Sequence, residues 1–172
     1  MLRFKFLFKD GCQWQNLEFL RATRSHPSVV KFCFHSKQIT RVEQEWWYDN
    51  EYSKDENKKI YIAYDDKMEC PIGYVQYNIE SVIHRRCSVN YVIAPQFVDY
   101  KYDSKLIRWS KNNVLNWTDE INRLQTMILV NDDNRLKNYI RCGFEVDSIL
   151  RKYVYKDGIF QDVYVLSDIL HS

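Results

Sequence analysis

Glycine is the residue that this sequence uses most sparingly. Only four occur among 172 residues: Gly11, Gly73, Gly143 and Gly158. Glycine adopts backbone conformations that other residues avoid. Each of the four therefore marks a position where we expect a turn or a close approach of two backbones.

An excess of charge of one sign is also missing. The chain carries 25 Lys and Arg against 23 Asp and Glu, which gives a net charge of +2. The basic residues are scattered along the sequence, whereas a nucleic-acid interface needs them clustered on one face. We therefore predict no nucleic-acid partner.

Metal-binding cysteine pairs and long apolar runs are absent as well. No C-x-x-C pair occurs among Cys12, Cys33, Cys70, Cys87 and Cys142, and no His stands at zinc-ligand spacing from such a pair. We expect reduced thiols and no metal, as in a cytosolic protein. The amino terminus MLRFKFLFKD lacks the apolar run of a signal peptide, and no stretch approaches a membrane span. The sequence predicts a cytoplasmic protein that does not bind membranes.

Aromatic side chains are abundant instead. The chain has 13 Tyr, 9 Phe and 5 Trp, and hydrophobic residues make up 45% of it against 28% charged. This balance is typical of a globular protein. A chain of this length can bury a sizeable core without disulfides or metals. We predict one domain spanning residues 1–172.

Hydrophobic patterns of strands and helices succeed one another along the chain. They predict strands at 2–8, 60–64, 72–79, 87–93, 124–130, 144–155 and 160–166, and helices at 13–23, 27–34, 40–52, 104–117 and 135–141. The short turn between the second and third strands makes that pair antiparallel. The strands on either side of helix 104–117 are expected to be parallel, with a binding crevice at their carboxyl ends. The fold class is therefore α/β, with a mixed central sheet of about seven strands and helices on both faces.

Single residues predict several boundaries. Thr40 followed by Glu43 has the spacing of a capping box that begins a helix. Gly73 near the start of a strand indicates a bulge or a close approach. Gly143 is expected to end a helix in a left-handed conformation. Lys156-Asp157-Gly158 is expected to form the turn of a hairpin.

Three segments carry a resemblance to a known superfamily. Residues 131–144 (NDDNRLKNYIRCGF) resemble the late motif of the GNAT acyltransferases, with Tyr139 in the family's place. Residues 89–107 (VNYVIAPQFVDYKYDSKLI) resemble the strand, pyrophosphate loop and helix that bind coenzyme A. Residues 20–47 resemble the amino-terminal helices of the branch that acetylates nucleotide-linked amino sugars. That branch's I-T-x-x-x-H-x-x-W pattern returns here with Gln44 in place of the His and with Trp47.

The resemblance implies a GNAT fold and an N-acetyltransferase that uses acetyl-coenzyme A as its cosubstrate. It implies a small-molecule amine as the acceptor and a homodimer as a candidate assembly. A backbone N–H of the strand would polarise the thioester oxygen, an effect of roughly 3 kcal/mol. The cofactor-binding positions carried over by resemblance are Val92, Ile93, Ala94, Val98, Asp99, Lys101, Tyr102, Asp103, Ser104, Asn131, Asn134 and Arg141.

The resemblance also assigns the proton chemistry. Tyr139 would be the general acid that protonates the coenzyme A thiolate, since a phenol and a thiol have similar pKa values. The alternative is that Tyr139 only packs in the core. The strand CSVNYV has no carboxylate to act as the base, so Glu80 and His84 are the nearest candidates in the sequence.

The pyrophosphate loop departs from the family pattern. The family has glycines whose N–H groups close around phosphate, whereas this chain has residues 98–103 (VDYKYD), without a glycine and with two aspartates. Either the loop binds coenzyme A weakly through Lys101, Tyr102 and Ser104, or the site has lost the cofactor. In the second case the protein would be a non-catalytic binding module of the same fold.

The acceptor side is predicted on the helix that begins at Thr40. Gln44, Trp47 and Tyr48 would line it, because aromatic walls suit a sugar ring or a base. The alternative is that the adjacent Trp46 and Trp47 point in different directions, one into the core and one outward. Acetylation of a protein amino terminus is a further alternative, because related enzymes share similar helices.

Overall fold

A mixed seven-stranded sheet runs through the centre of the molecule in this computed structural model, which describes residues 1–9, 13–117 and 121–170. The strands lie in the order β1-β2-β3-β4-β5-β7-β6. The α/β class, the mixed sheet and the seven strands are confirmed. The strand bounds are Leu2–Phe6 (β1), Lys58–Asp65 (β2), Cys70–Ser81 (β3), Arg86–Ile93 (β4), Arg123–Leu129 (β5), Glu145–Lys156 (β6) and Ile159–Ile169 (β7).

Helices lie between the strands where the periodicity predicts them. They are Trp14–Ser25 (α1), Pro27–Val30 (α2), Arg41–Trp47 (α3), Asp103–Leu115 (α4) and Asp133–Arg141 (α5). The predicted capping box begins α3: the backbone N–H of Glu43 donates to Thr40 Oγ1 at 3.2 Å, and Glu43 Oε2 accepts from the backbone N–H of Thr40 at 2.8 Å. After α5, Gly143 takes a φ of +95°, as expected of a glycine that ends a helix.

The third helix is shorter than predicted, because the chain widens into a π-helical turn at Tyr48–Tyr52. This turn directs two phenol groups at the chain that follows β1. Tyr48 and Tyr52 donate to the carbonyl oxygens of Phe8 and Leu7, both at 2.7 Å. These bonds explain why β1 ends at Phe6 rather than Phe8.

The two faces of the sheet are covered by different helices. Alternate residues of β2, β3 and β4 pack against α4 and α5, including Val75, Tyr77 and Val89. The intervening residues, such as Tyr74 and Val92, pack against α1 and the turn after α3. The prediction of helices on both faces is confirmed, and successive residues of β4 therefore point to opposite sides.

The β4–β5 pair is the one parallel neighbour pair among the described strands, and it is short. Only Arg86↔Arg123, Cys87↔Leu124 and Ser88↔Gln125 are in register. Beyond Ser88, β4 pairs only with β3, and beyond Gln125, β5 pairs only with β7. The two strands separate towards their carboxyl ends, where the sequence predicts the crevice.

The predicted close approach at Gly73 is also confirmed. Gly73 lies between Ala63 of β2 and Ile93 of β4, and a β-carbon built on it would lie 2.3 Å from the carbonyl oxygen of Val92. Only glycine fits here without moving β4.

The hairpin turn and the cysteines were also predicted from the sequence. The hairpin turn is confirmed at Asp157 and Gly158, whose φ angles are +52° and +80°, as a tight two-residue turn requires. Cys12 and Gly11 lie outside the described residues. Of the cysteines within them, Cys33, Cys70 and Cys142 are free thiols.

Candidate active site

The separation of β4 from β5 leaves backbone groups of β4 without a strand partner. The backbone N–H of Ala94 donates to Ile72 O of β3 at 2.9 Å. Because antiparallel pairing alternates along a strand, Val89, Tyr91 and Ile93 direct their backbone groups away from β3, towards β5. Beyond Ser88 these groups face the cleft.

Tyr139 of α5 reaches the point where the two strands separate. Its hydroxyl lies 3.5 Å from Val89 O and 3.5 Å from Thr126 Oγ1, the residues just after the last parallel pair. The side chain is 1% exposed and packs on Phe144 and Tyr91. Burial is the main cause that raises the pKa of Tyr139 to about 12, so the phenol keeps its proton at neutral pH.

A cavity of about 360 Å³ opens beside this cleft. Its walls come from the carboxyl end of β4, the first turns of α4 and α5, and α2 with the residue Phe32 that follows it. The lining residues are Ser28, Val29, Phe32, Tyr91, Val92, Ile93, Val98, Asp103, Asn131, Asp132, Asp133, Asn134 and Arg135. The structure therefore brings together six of the predicted cofactor-binding residues: Val92, Ile93, Val98, Asp103, Asn131 and Asn134.

Charged and phenolic groups meet at the inner wall of the cavity. Tyr91 donates its hydroxyl hydrogen to Asp103 Oδ1 at 2.8 Å, and burial is the main cause that raises the pKa of Tyr91 well above its usual range. The guanidinium of Arg135 lies 5.2 Å from the Tyr91 ring centre, within range of a cation–π contact. Arg135 also pairs with Asp132, its Nε lying 3.5 Å from Asp132 Oδ2. The lining carries three carboxylates and one guanidinium.

Of the predicted phosphate loop, residues 98–103, only Val98 and Asp103 line the cavity. Tyr102 is a correction: it is buried, and its hydroxyl donates to Asp65 Oδ2 at 2.8 Å, which takes it away from the cavity. Lys101 and Asp99 are exposed, and Lys101 adopts a left-handed φ of +57°. Ser104 lies in the first turn of α4 but does not line the cavity.

Ala94 and Arg141 are also placed differently from the prediction. The N–H of Ala94 is used by Ile72, so that it cannot serve a ligand. Arg141 lies at the carboxyl end of α5, where it lines a separate groove with Arg108 and Lys111 of α4. The length of α5 therefore separates Arg141 from the cavity at the amino end of that helix.

The two candidate bases occupy different places. Glu80 lies near the end of β3, where its Oε2 accepts from Gln125 Nε2 at 2.6 Å. Gln125 belongs to the last parallel pair, so Glu80 is close to the point where the strands separate. His84 lies exposed in the β3–β4 turn, at the end of β4 opposite the cavity. The structure does not bring His84 to the cleft.

The predicted acceptor-side residues face the core instead of the cavity. Gln44 is 2% exposed and lies against α1, and neither its Oε1 nor its Nε2 has a hydrogen-bond partner. Trp47 stacks on Tyr52, and Tyr48 is buried. The alternative for the tryptophans is confirmed, because Trp46 is 57% exposed while Trp47 packs inward.

Sequence reasoning missed several residues of the site. Thr126 and Asn90 are polar residues in apolar strands, and Thr126 Oγ1 donates to Asn90 Oδ1 at 3.0 Å across the cleft. That local contrast in polarity is a signal that could have found them. Tyr91, Arg135 and the α2 wall gave no such signal, because their roles depend on contacts between distant elements.

The residues present can be tested against coenzyme A. The cleft offers uncovered backbone groups of Tyr91 and Ile93 beside a cavity of about 360 Å³, which suits the amide-bearing pantetheine arm. At the other end, the first turn of α4 offers N–H groups without intrahelical partners, but the carboxylate of Asp103 lies there as well. Coenzyme A therefore fits the site at its pantetheine arm. The phosphate end fits less well, because the Asp103 carboxylate would repel the phosphates.

Comparison with known proteins agrees with this architecture. Spermidine N-acetyltransferase from Vibrio cholerae, solved with CoA and spermine, superposes with a TM-score of 0.87 at 18% identity, over 98% of this chain and 95% of that one. A chimera of that enzyme with hSSAT gives a TM-score of 0.81 at 17% identity, over 98% and 95%. A protein described as a phosphinothricin N-acetyltransferase gives 0.81 at 15% identity over the whole of both chains.

The chain has the GNAT fold. At 15 to 18% identity the likeness establishes the fold, and the activity has to be argued from the site. No protein-family model matches the sequence, and no curated protein matches it significantly. Across the described residues, no helix combines the length and apolar character needed to cross a membrane. The same residues contain no cluster of three or more His, Cys, Asp or Glu side chains that could hold a metal ion.

Proposed function

We propose that this protein is an N-acetyltransferase that transfers the acetyl group of acetyl-coenzyme A to a small-molecule amine by direct attack. The observation that carries the proposal is the position of the Tyr139 hydroxyl. It lies between Val89 and Thr126, where β4 and β5 separate and the unpaired backbone of β4 begins.

Acetyl-coenzyme A would supply the activated acyl group as a thioester. The backbone of β4 at Tyr91 and Ile93 would hold the pantetheine arm, and an N–H of this stretch would bind the thioester oxygen. The first turn of α4, with Lys101 just before it, would hold the phosphates. Asn131 and Asn134 line the opposite wall of the cavity and would also bind the pantetheine arm.

Tyr139 would donate the proton that the departing thiolate needs. Its pKa of about 12 keeps the phenol neutral, so the hydroxyl acts as a donor and not as a base over the physiological pH range. The same pKa lies about 3 to 4 units above that of a thiol, so burial removes the match of pKa values expected from the sequence and proton transfer to the thiolate is uphill. Glu80 is the remaining candidate base, because its carboxylate accepts a hydrogen bond from Gln125, the neighbour of Thr126 on β5. Side chains alternate along a strand, so Gln125 and Glu80 lie on the face of the sheet opposite Tyr139. Glu80 would take a proton from the amine through an intervening water. His84 is not included, since it lies exposed in the β3–β4 turn, farther along the chain from the point where the strands separate than Glu80.

Two measurements test the proposal. Isothermal titration with acetyl-coenzyme A should give micromolar binding, and a screen of amines should give turnover. Tyr139→Phe should then lower kcat by about 10²-fold or more while binding persists, because the hydroxyl's two contacts at 3.5 Å contribute about 1 kcal/mol or less to stability. Unchanged turnover in Tyr139→Phe would show that Tyr139 is not the general acid. Absence of acetyl-coenzyme A binding would overturn the proposal that the protein is an acetyltransferase.

One observation favours a second candidate, a non-catalytic binding protein of the GNAT fold. Asp103, fixed by Tyr91, places a carboxylate at the helix start where a phosphate would have to bind. A crystal grown with excess acetyl-coenzyme A distinguishes the two. Density for the donor between β4 and β5 supports the enzyme, and an unchanged Tyr91–Asp103 contact without donor supports the binding protein.

The class of amine remains a prediction. Of the residues that suggested a nucleotide-linked amino sugar, Gln44 and Tyr48 are buried, Trp47 is half-buried against the core, and none of them lines the cavity, so that proposal loses its structural support. A screen that contains a polyamine, a nucleotide-linked amino sugar and a peptide with a free amino terminus separates the acceptor classes. Cytoplasmic location and a single domain over residues 1–172 also remain predictions.

A homodimer would form through the free edge of β6. An isolated edge strand presents unpaired backbone groups to a partner, and β6 is exposed over most of its length. An antiparallel second copy centred on Ser148 would place Glu145 of one chain opposite Arg151 of the other. Light scattering should then give twice the chain mass, and Arg151→Glu should give the monomer while the exposed Lys54→Glu does not. A monomeric wild-type protein would contradict this assembly.

A further inference from the structure

Lys156 is an unusual lysine, because it is 4% exposed and has no acidic partner among the described residues. It is the last residue of β6, directly before the Asp157-Gly158 turn. Side chains alternate along a strand, so Lys156 shares the inward face with Val154 while Tyr153 and Tyr155 point outward. The hairpin register thus directs an ammonium group into the protein.

The ammonium group is fully hydrogen-bonded by the chain at the end of α2. Lys156 Nζ donates to the carbonyl oxygens of Lys31 at 3.0 Å and Cys33 at 2.9 Å, and it also donates to that of Val30. A lysine ammonium has three donors, and all three are used. Lysine side chains can in this way satisfy the carbonyls that a helix end leaves unpaired.

The segment that Lys156 holds has few other hydrogen bonds to the rest of the protein, and its apolar contact with the core is made by Val29. Between Pro27 and Gln38, the other hydrogen bonds recorded for the described residues stay within the segment or its flanks. They are helical and turn bonds, contacts of His26 and His35, and the exposed Lys37–Glu43 ion pair. Lys156 is therefore the hydrogen-bonded connection from the sheet to this segment.

The same segment forms one wall of the cavity. Ser28, Val29 and Phe32 face the end of β4 and the loop after β5 across about 360 Å³. The segment thus extends from the β4 side of the cleft to the β6–β7 hairpin on the β5 side. An anchor at the hairpin end determines how closely this wall lies over the cleft.

We propose that Lys156 is a positioning residue that fixes residues 27–34 as the roof of the cleft and thereby sets the affinity for acetyl-coenzyme A. Its effect is transmitted through the carbonyls of residues 30, 31 and 33, and Lys156 itself does not touch the reacting atoms. The effect on the affinity for acetyl-coenzyme A rests on the proposed function, whereas the anchoring of the roof does not.

Hydrogen–deuterium exchange tests the anchoring without any ligand. In Lys156→Met, which keeps the apolar stem and removes the donors, amide exchange in residues 27–34 should become about tenfold faster or more, while exchange in β3 stays unchanged. Lys156→Arg should retain most of the protection, because a guanidinium also donates several bonds. The matched control is Lys152→Met, an exposed lysine of the same strand, which should behave as wild type. Unchanged exchange in Lys156→Met overturns the anchor, and faster exchange also in β3 shows global destabilisation and overturns it equally.

Titration calorimetry tests the consequence for the cofactor. Lys156→Met should weaken the affinity for acetyl-coenzyme A about tenfold, because a roof that is no longer fixed has to be ordered on binding, and Lys156→Arg should retain most of the affinity. In steady-state kinetics with the amine that the wild-type protein turns over best, Lys156→Met should raise KM for acetyl-coenzyme A to a similar extent and leave kcat within about twofold. If the affinity does not change, Lys156 does not set it. If the wild type binds no acetyl-coenzyme A, the proposed function fails while the exchange result still decides on the anchor.

Discussion

The contact between Gly73 and Val92 allows a single methyl group to probe the edge of the cavity. In Gly73→Ala the new β-carbon would start 2.3 Å from Val92 O, where an ordinary contact is 3.4 Å or more. The strands must therefore separate by about 1 Å. Val92 cannot move alone, since its backbone is paired with Tyr74 and its neighbour Ile93 lines the cavity.

We expect this overpacking to lower the free energy of unfolding by about 1–3 kcal/mol. For a chain of this size each kcal/mol corresponds to roughly 2–4 °C in Tm, so the melting temperature should fall by roughly 2–12 °C. Urea denaturation measures the first quantity and calorimetry the second. Because β4 is displaced at the cavity, the affinity for coenzyme A should fall as well.

Gly158→Ala is the control for this experiment. A β-carbon at Gly158 meets nothing within 4 Å, and its only difficulty is the φ of +80°. It should cost about 1–2 kcal/mol through backbone strain and leave coenzyme A affinity unchanged. A Gly73→Ala protein as stable as the wild type within about 0.5 kcal/mol would refute the close approach.

Three further predictions concern charge. Asp103→Asn removes a carboxylate from the cavity wall and should strengthen coenzyme A binding by about tenfold at low salt, as measured by titration calorimetry. Asp99→Asn, at an exposed position, should change the affinity less. Equal effects of the two substitutions would contradict a specific role for Asp103. The pH–rate profile should show no decline from Tyr139 ionisation below about pH 11, because its pKa is raised to about 12 and the protonated form persists until then. Hydrogen bonds from Lys37, and then from Thr40, lower the pKa of Glu43 to about 2. The carboxylate therefore stabilises the fold above its usual pKa and loses that effect as the pH falls from about 4.5 to 2. A carbon-13 NMR titration should give the midpoint near 2 in the wild type and a higher one in Lys37→Met.

The elements that sequence predicts correctly are those whose determinants are local. The Thr40–Glu43 box, the glycine that ends α5 and the Asp157-Gly158 turn each depend on residues a few positions apart. The parallel β4–β5 pair followed from the helix between the strands. The place of Tyr139 at the cleft agrees with the resemblance, while its role remains a prediction.

The features that escaped prediction depend on tertiary contacts. Tyr102 was expected at the phosphates, but Asp65, far away in sequence, accepts its hydroxyl hydrogen. Gln44 was expected at the acceptor, but the direction of α3 buries it against α1. Lys156 and Cys33 are more than a hundred residues apart. No periodicity reveals such pairs, because neither partner is unusual in its own segment.

The three residue pairs that join β4 to β5 have a consequence for how the molecule unfolds. They are the narrow seam between a half-sheet of β1 to β4 and a half-sheet of β5 to β7. Because backbone pairing between the half-sheets is so limited, the hydrophobic cluster that β4, β5 and β7 share is what holds them together. A ligand bound in the cleft would contact both half-sheets. Its binding free energy would therefore add to the free energy of unfolding of the whole chain.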